Sequence, residues 1–342
     1  MSATTTAAPS LQSDDVAAID ELRDIYRQLK GELSKIIVGQ ELVIEQLAIC
    51  LFGRGHALLM GVPGLAKTLL VSRIAETMSL SFSRIQFTPY LMPMDITGTD
   101  ILQETQDRRR EFEFVKGPVF ANIVLADEIN RAPAKTQAAM LEAMQEHRVT
   151  VVGRPYPLEP PFFVLATQNP VEQEGTYPLP EAQLERFMFL INVDYPSRAE
   201  ELEIARTTTG STVPRLEHIL DAAAVQRFQE LVRRVPVPPH IYEFAVDLVR
   251  RTRPKTKESP DWLKPLVSWG AGPRAVQYMI LGAKSRAALT GSYMVRLEDI
   301  MAVAEPVLTH RVLTTFNAES EGITSDDIID RLVKELNAEQ VR

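Results

Sequence analysis

The spacing of hydrophobic and polar positions changes along the chain, and each change marks an element. Between residues 16 and 34, Ile19, Leu22, Ile25, Tyr26 and Leu29 recur at helical steps, which places them on one face of an amphipathic helix. After a short turn at Ile36-Ile37-Val38-Gly39-Gln40, Val43, Ile44, Leu47 and Leu51 predict a second helix. The texture then breaks into short apolar runs: Ala57-Leu58-Leu59-Met60, Phe82 to Phe87, Ile123 to Ala126, Phe162 to Ala166 and Phe187 to Val193. Runs of this kind are the mark of strands buried on both faces of a parallel sheet. Helices are predicted between them from Lys67 to about Met78, and from Pro133, which suits a first helical position, to about Glu146. Glu111-Phe112-Glu113-Phe114-Val115 alternates as in a hairpin, and so does His147 to Gly153 with the Tyr156 segment, where the turn is predicted at Gly153-Arg154-Pro155.

Beyond Pro196 no strand is predicted. Ser197-Arg198-Ala199-Glu200 is a capping box that opens a helix, and further helical stretches start near Asp221, Pro239, Pro273, Leu297 and Ser325. The expected fold class is α/β. A Ser/Thr/Ala-rich tail over residues 1–15 and a leading helix over 16–35 precede an αβα core over 36–196, and an all-helical domain covers 197–342.

Composition narrows the class. With 342 residues, 45% hydrophobic and 24% charged, the chain has room for a large core and a second domain. The single Cys50 excludes an intramolecular disulfide, and its apolar helical surroundings suit a packed thiol. No apolar run is long enough to span a bilayer and the N-terminus has no hydrophobic signal core, so a cytoplasmic protein is expected. A net charge of −8 argues against a broad phosphate-binding surface but leaves room for a local basic channel.

Two motifs carry chemistry. Gly61-Val62-Pro63-Gly64-Leu65-Ala66-Lys67-Thr68, continued by Leu69, follows an apolar strand and opens a helix, the context of a phosphate-binding loop. Backbone N–H groups and the helix N-terminus converge there on phosphate oxygens. Lys67 would reach the β/γ-phosphates and Thr68 would hold Mg²⁺. Ala66 stands where the usual pattern has glycine, which is tolerable if that position has ordinary helical torsions. Taken alone, the octapeptide could be a turn that binds nothing. The second motif, Ile123 to Glu128, is a buried strand ending in two acids. Asp127 is placed for the Mg²⁺ shell and Glu128 for polarising the attacking water. An isolated Asp-Glu pair is more often a cap or a solvated turn, but after a phosphate loop it points to nucleotide binding and hydrolysis.

These motifs join Asp127-Glu128-Ile129-Asn130-Arg131-Ala132, Ala166-Thr167-Gln168-Asn169-Pro170, the string from Gln173 to Phe187, and Gly272-Pro273-Arg274-Ala275. Together they resemble the MoxR family of AAA+ ATPases, in the branch with helix-2 and pre-sensor-1 insertions related to magnesium chelatase ATPase subunits. The resemblance implies an AAA+ module with inserted β-hairpins and a helical lid, using ATP and Mg²⁺. It assigns Asn169 as sensor 1 and Arg274 as sensor 2, reaching the phosphates when the lid closes. Arg186 becomes an arginine finger acting in the neighbouring subunit, and Arg131 a second trans-acting candidate. Val38 and Gly39, with Ile37, fall beside the adenine. Each has a plainer reading: an Asn-Pro turn, a surface charge at a helix start, a local pair of Arg186 with Glu181 or Glu185, a structural Arg131, and ordinary core.

The resemblance further implies a homo-oligomeric ring, a hexamer, and chaperone-like remodelling of a protein client or of a partner with a von Willebrand factor A domain. A nucleic-acid motor and a metal-chelatase subunit are the alternatives. The acidic net charge, the absence of an appended DNA-binding domain and the Gln173 to Phe187 string argue against the motor. Arg108-Arg109-Arg110 fall in the helix-2 insertion, either facing a pore or forming a solvated loop tip. Tyr90, Met94 and Glu185 depart from the family pattern; the last keeps the charge.

Overall fold

The computed structural model of the chain describes residues 11–62, 64–104, 110–169, 175–210 and 214–340. Pro63 of the phosphate loop, Arg108 and Arg109 of the insertion, Pro170 and Gln173-Glu174 of the family motifs, and the first ten residues of the expected tail lie outside these. Helices α1 (Ser13–Leu33) and α2 (Glu41–Phe52) form where the apolar spacing predicts them. The predicted tail over 1–15 is corrected at its end, because α1 starts at Ser13. Asp15 folds back to accept from the Gln12 N–H at 3.3 Å and closes a capping box, which polar composition alone disguised.

The core follows as β1 (Ala57–Met60), α3 (Lys67–Thr77), β2 (Phe82–Gln86), α4 (Pro93–Thr97), the hairpin strands β3 (Gly98–Glu104) and β4 (Arg110–Lys116), and β5 (Ile123–Asp127). Next come α5 (Ala134–Glu146), with Pro133 as its N-cap and not its first residue, and the hairpin strands β6 (Arg148–Val151) and β7 (Arg154–Pro157). The core closes with β8 (Phe163–Gln168), α6 (Glu181–Leu184) and β9 (Phe189–Asn192), and α7 (Arg198–Thr208) leads out of it. The five long-range strands form one parallel sheet in the order β2-β5-β8-β1-β9. Side chains alternate across it. Ala57, Leu59, Ile123, Leu125, Phe163 and Leu165 enter the cluster shared with α1, α2 and α3, whereas Leu58, Val124, Ala126, Val164 and Ala166 pack with α5 and the hairpins.

The β6–β7 turn is Val152-Gly153, one residue before the predicted Gly153-Arg154-Pro155. Both central residues have positive φ, 47° and 76°, the geometry that matches hairpin twist. A β-branched residue rarely adopts it, which is why the turn was misplaced by pattern.

The lid comprises α8 (Ala222–Arg234), α9 (Pro239–Arg251), β10 (Val267–Trp269), α10 (Pro273–Thr290), α11 (Leu297–Leu308), β11 (Leu313–Thr314), α12 (Phe316–Ser320) and α13 (Ser325–Gln340). The expectation of an all-helical lid is therefore corrected: β10 and β11 pair antiparallel. Runs of two and three residues carry no period that a sequence can display. Apolar residues of α8 to α11 belong to the same buried cluster as α1, α2 and one face of the sheet. Cys50 is in that cluster, fully buried, and burial raises its thiol pKa.

Candidate functional site

Strand β1 lies between β8 and β9, one strand in from the sheet edge, and the loop that leaves its carboxyl end emerges beside the carboxyl ends of β8 and β5. In an open α/β sheet this is where ligands bind. Gly64 has φ 89°, and among the described residues no atom is within 4 Å of where a Cβ would stand, a conformation suited to glycine. Ala66 corrects the sequence reading. It does not have ordinary helical torsions but φ 54°, ψ 23°, left-handed, as the N-cap of α3. A Cβ there costs roughly 1–2 kcal/mol. The loop therefore carries strain that glycine would relieve.

Lys67 Nζ donates to the Gly61 carbonyl at 2.6 Å. Burial lowers its pKa, and the carboxylates of Asp127 and Glu128 oppose that shift. All three groups belong to one cavity of about 370 Å³, lined also by Gly64, Leu65, Ala66, Thr68, Arg84, Thr167 and Asn169. The phosphate loop, the two acids and the sensor-1 candidate are thus brought together, although they come from three different strands and the loops after them.

The acids are held by neighbours that sequence reasoning passed over. Asp127 Oδ1 accepts from Thr167 Oγ1 at 2.7 Å, and its Oδ2 accepts from Arg84 Nε at 3.0 Å. Glu128 has φ 55°, ψ 50°, also left-handed, a strained conformation that clusters at functional sites. Its N–H donates to Thr167 Oγ1 at 2.8 Å. Its Oε2 accepts from Gln86 Nε2 and Arg131 Nη1, each at 2.8 Å. Arg131, considered as a trans-acting residue, pairs here with Glu128 of its own chain. A signal for Arg84 and Gln86 existed: they flank the buried Ile85 on β2, and the register puts Gln86 beside Asp127. Thr167 had none beyond its place in a strand.

Thr68 and the Asp127 carboxylate fit a Mg²⁺ ion by the chemistry of their donors. Asp127 Oδ2 already accommodates a cation, the Arg84 guanidinium, and Thr68 lines the same cavity. The Val38-Gly39 turn is drawn up to the loop by the next residue, whose Gln40 Nε2 donates to the Leu65 carbonyl at 3.3 Å. On the β9 side, Met60, Gly61, Val62, Asn192, Val193, Asp194 and Tyr195 enclose a further cavity of about 420 Å³. Asp194 and Tyr195 had not been singled out by sequence.

Arg186 and Arg274 are elsewhere. Arg186 precedes β9, so it is at the amino end of a strand parallel to β1, and the Met188 N–H bonds the His56 carbonyl just before β1. The phosphate loop leaves the other end of that strand. Four residues of strand separate the two levels by roughly 13 Å. Arg274 lines the same cavity as Arg186, about 270 Å³, together with Arg54, His56 and His147. Arg274, expected to reach phosphates when the lid closes, does not line the phosphate cavity of its own chain in this structure. The tertiary packing of α10 puts it beside the finger candidate.

A parallel sheet, a phosphate loop after β1, an acidic pair at the end of β5 with β8 between the two strands, and a largely helical lid define an AAA-type ATPase module. Residues 56–189 match the ATPase family associated with various cellular activities (AAA), and residues 262–332 match the AAA lid domain. The chain is 44% identical over 310 residues to Chaperone MoxR1 of Mycobacterium tuberculosis, covering 91% of this chain and 81% of that one. It is 39% identical to protein YeaC of Bacillus subtilis, over 92% of this chain and 95% of the relative. A crystal structure from Cytophaga hutchinsonii superposes with a TM-score of 0.86 at 41% identity, covering 93% of this chain and 96% of the other. The chain belongs to the MoxR family of AAA+ ATPases.

Proposed function

We propose that the protein hydrolyses ATP with Mg²⁺ in a site completed by a second copy of the chain, and that it uses the cycle to remodel a protein client. Residues 36–196 serve as the nucleotide-binding core and 197–342 as the lid. Gly61 to Leu69 cradle the phosphates, Val38 and Gly39 border the base, and Thr68 and Asp127 hold the metal. Bound Mg²⁺ supplies charge neutralisation on the phosphate oxygens. Glu128 takes the proton of the water that attacks the γ-phosphorus as the bond to the β-phosphate oxygen breaks, once it is released from Gln86 and Arg131. Asn169 orients the water or the γ-phosphate. Arg186, with Arg274 beside it, stabilises transition-state charge in the neighbouring subunit.

The observation that carries this reading is the opposite placement of the two half-sites. Arg186 and Arg274 share a cavity beside the amino end of β1, and the phosphate loop leaves its carboxyl end. A closed ring, a hexamer in this reading, satisfies every such heterologous contact. The chaperone name of the Mycobacterium relative supports a remodelling role; the proposed setting is the cytoplasm, with a protein client or a von Willebrand factor A domain partner. Steady-state ATP hydrolysis against protein concentration, with light scattering in parallel, tests it. Specific activity is expected to climb as a ring-sized species forms. Flat activity from a protein that stays monomeric would overturn the shared site.

A further inference from the structure

The segment that carries Arg186 is gripped from the lid. Its N–H groups turn inward: those of Glu185, Arg186 and Phe187 bond carbonyls of Glu181, Gln183 and Leu184, and that of Met188 bonds the His56 carbonyl. Its four consecutive carbonyls turn the other way, and each accepts from a lid side chain. Arg311 Nη2 donates to Glu185 O at 3.1 Å and to Phe187 O at 2.7 Å, and Arg311 Nη1 donates to Met188 O at 3.4 Å. Tyr278 Oη donates to Arg186 O at 3.1 Å. His310 Nε2 donates to Phe187 O at 3.2 Å. Arg311 completes its set with Glu185 Oε2 at 3.1 Å and the Val307 carbonyl. All five guanidinium N–H donors are used, and the side chain has no exposure to solvent.

Such a grip exceeds what docking two layers requires, since apolar packing already joins α10 and α11 to the sheet. It also has a direction. Tyr278 is one helical turn after Arg274 on α10, so the two share a face, and both line the cavity of Arg186. Arg311 follows α11, and its guanidinium stands 5.3 Å from the Tyr278 ring centroid. These bonds tie the two lid helices directly to the main chain of Arg186 and its neighbours. None of Tyr278, His310 or Arg311 lines the phosphate cavity of its own chain.

We propose that Arg311, with Tyr278 and His310, is the positioning element that presents Arg186 to the neighbouring subunit, so that the lid of one subunit sets hydrolysis in the next. This rests on the trans-finger reading of Arg186. The chemistry favours arginine over lysine, because a planar fork can bridge several carbonyls where an ammonium satisfies at most three acceptors.

The test is complementation in mixed assemblies. Arg311→Lys is expected to lower turnover by about 10²-fold, the effect of misplacing a catalytic group by roughly 1 Å, with the affinity for a fluorescent ATP analogue unchanged. Tyr278→Phe, which removes one hydroxyl and no packing, is expected to lower it by a few-fold. Each variant is mixed with Glu128→Gln protomers, which lack the base but keep a correctly held Arg186. Activity above the sum of the separate proteins is expected, because a sound finger then meets a sound phosphate site. Arg186→Ala in the same mixture is the control. If Arg186→Ala is rescued but neither Arg311→Lys nor Tyr278→Phe is, the positioning role is overturned and the finger stands. If Arg186→Ala itself is not rescued, the trans reading fails and the positioning role with it. Should Arg311→Lys melt early, Tyr278→Phe decides, and wild-type turnover in that variant overturns the positioning role.

Discussion

At the carboxyl ends of β1, β5 and β8, one lysine shares a cavity with two carboxylates, and hydrogen bonds tie all three to their own chain. Near the amino ends of β1 and β9, a second cavity gathers Arg54, His147, Arg186 and Arg274; among the described residues no carboxylate lines it, although Arg54 pairs with Glu230. In the proposed reading, the difference is that between two halves of one site carried on opposite sides of the molecule. Where phosphate is to be held, the charges are balanced by neighbours. On the other face, Arg186 and Arg274 share a cavity that no acid among the described residues lines, an arrangement suited to an anion brought from outside.

The largest effect that could break this comparison is Arg186→Ala, expected to lower ATP turnover by ~10³-fold or more while nucleotide still binds. Normal turnover, measured by phosphate release, would return both halves to one chain. Glu128→Gln addresses the acidic half and is expected to cost about 10²–10⁴-fold in rate. ATP should stay bound through several turnover times of the wild type; rapid release of ADP and phosphate would remove Glu128 from its role.

A third prediction separates the two ends by pH. His56, beside β1's amino end, has its pKa lowered to about 4 by burial, and burial holds His310 well below its usual range. Both take up protons more readily when unfolded, with a pKa near 6.5. Their stability contribution is therefore complete above about pH 6.5 and is lost as pH falls towards 4. For His56 alone the loss approaches about 3 kcal/mol across that range, which urea unfolding between pH 7.5 and 4.5 would register. A flat midpoint would mean that these imidazoles are not held neutral.

The smallest effect is expected at the phosphate loop itself. Ala66→Gly should stabilise the fold by about 0.5–1 kcal/mol, the relief of a left-handed alanine less the added freedom of the unfolded chain. A lower melting temperature would show that the loop does not hold the torsions described.

Much of this was legible in the residues. The strand runs, the capping box at Ser197 and Glu200, and the helix starts near Asp221, Pro239, Pro273 and Leu297 are local patterns, and they fall where the structure has them. The pairing of β10 with β11 and the turn at Val152 escaped, since the first depends on residues far apart in sequence and the second on a torsion its residue type disfavours.

The sequence by itself determined the phosphate loop, the acidic pair and the family, because these reside in contiguous residues whose chemistry is local. Only the tertiary structure decided that Arg84, Gln86 and Thr167 hold the acids, that Arg274 joins Arg186, and that Arg311 grips the segment between them and the sheet. Each of those contacts depends on strand order or on how the lid packs, and residues from 39 to 124 positions apart meet only when the sheet and the lid have closed on a common core.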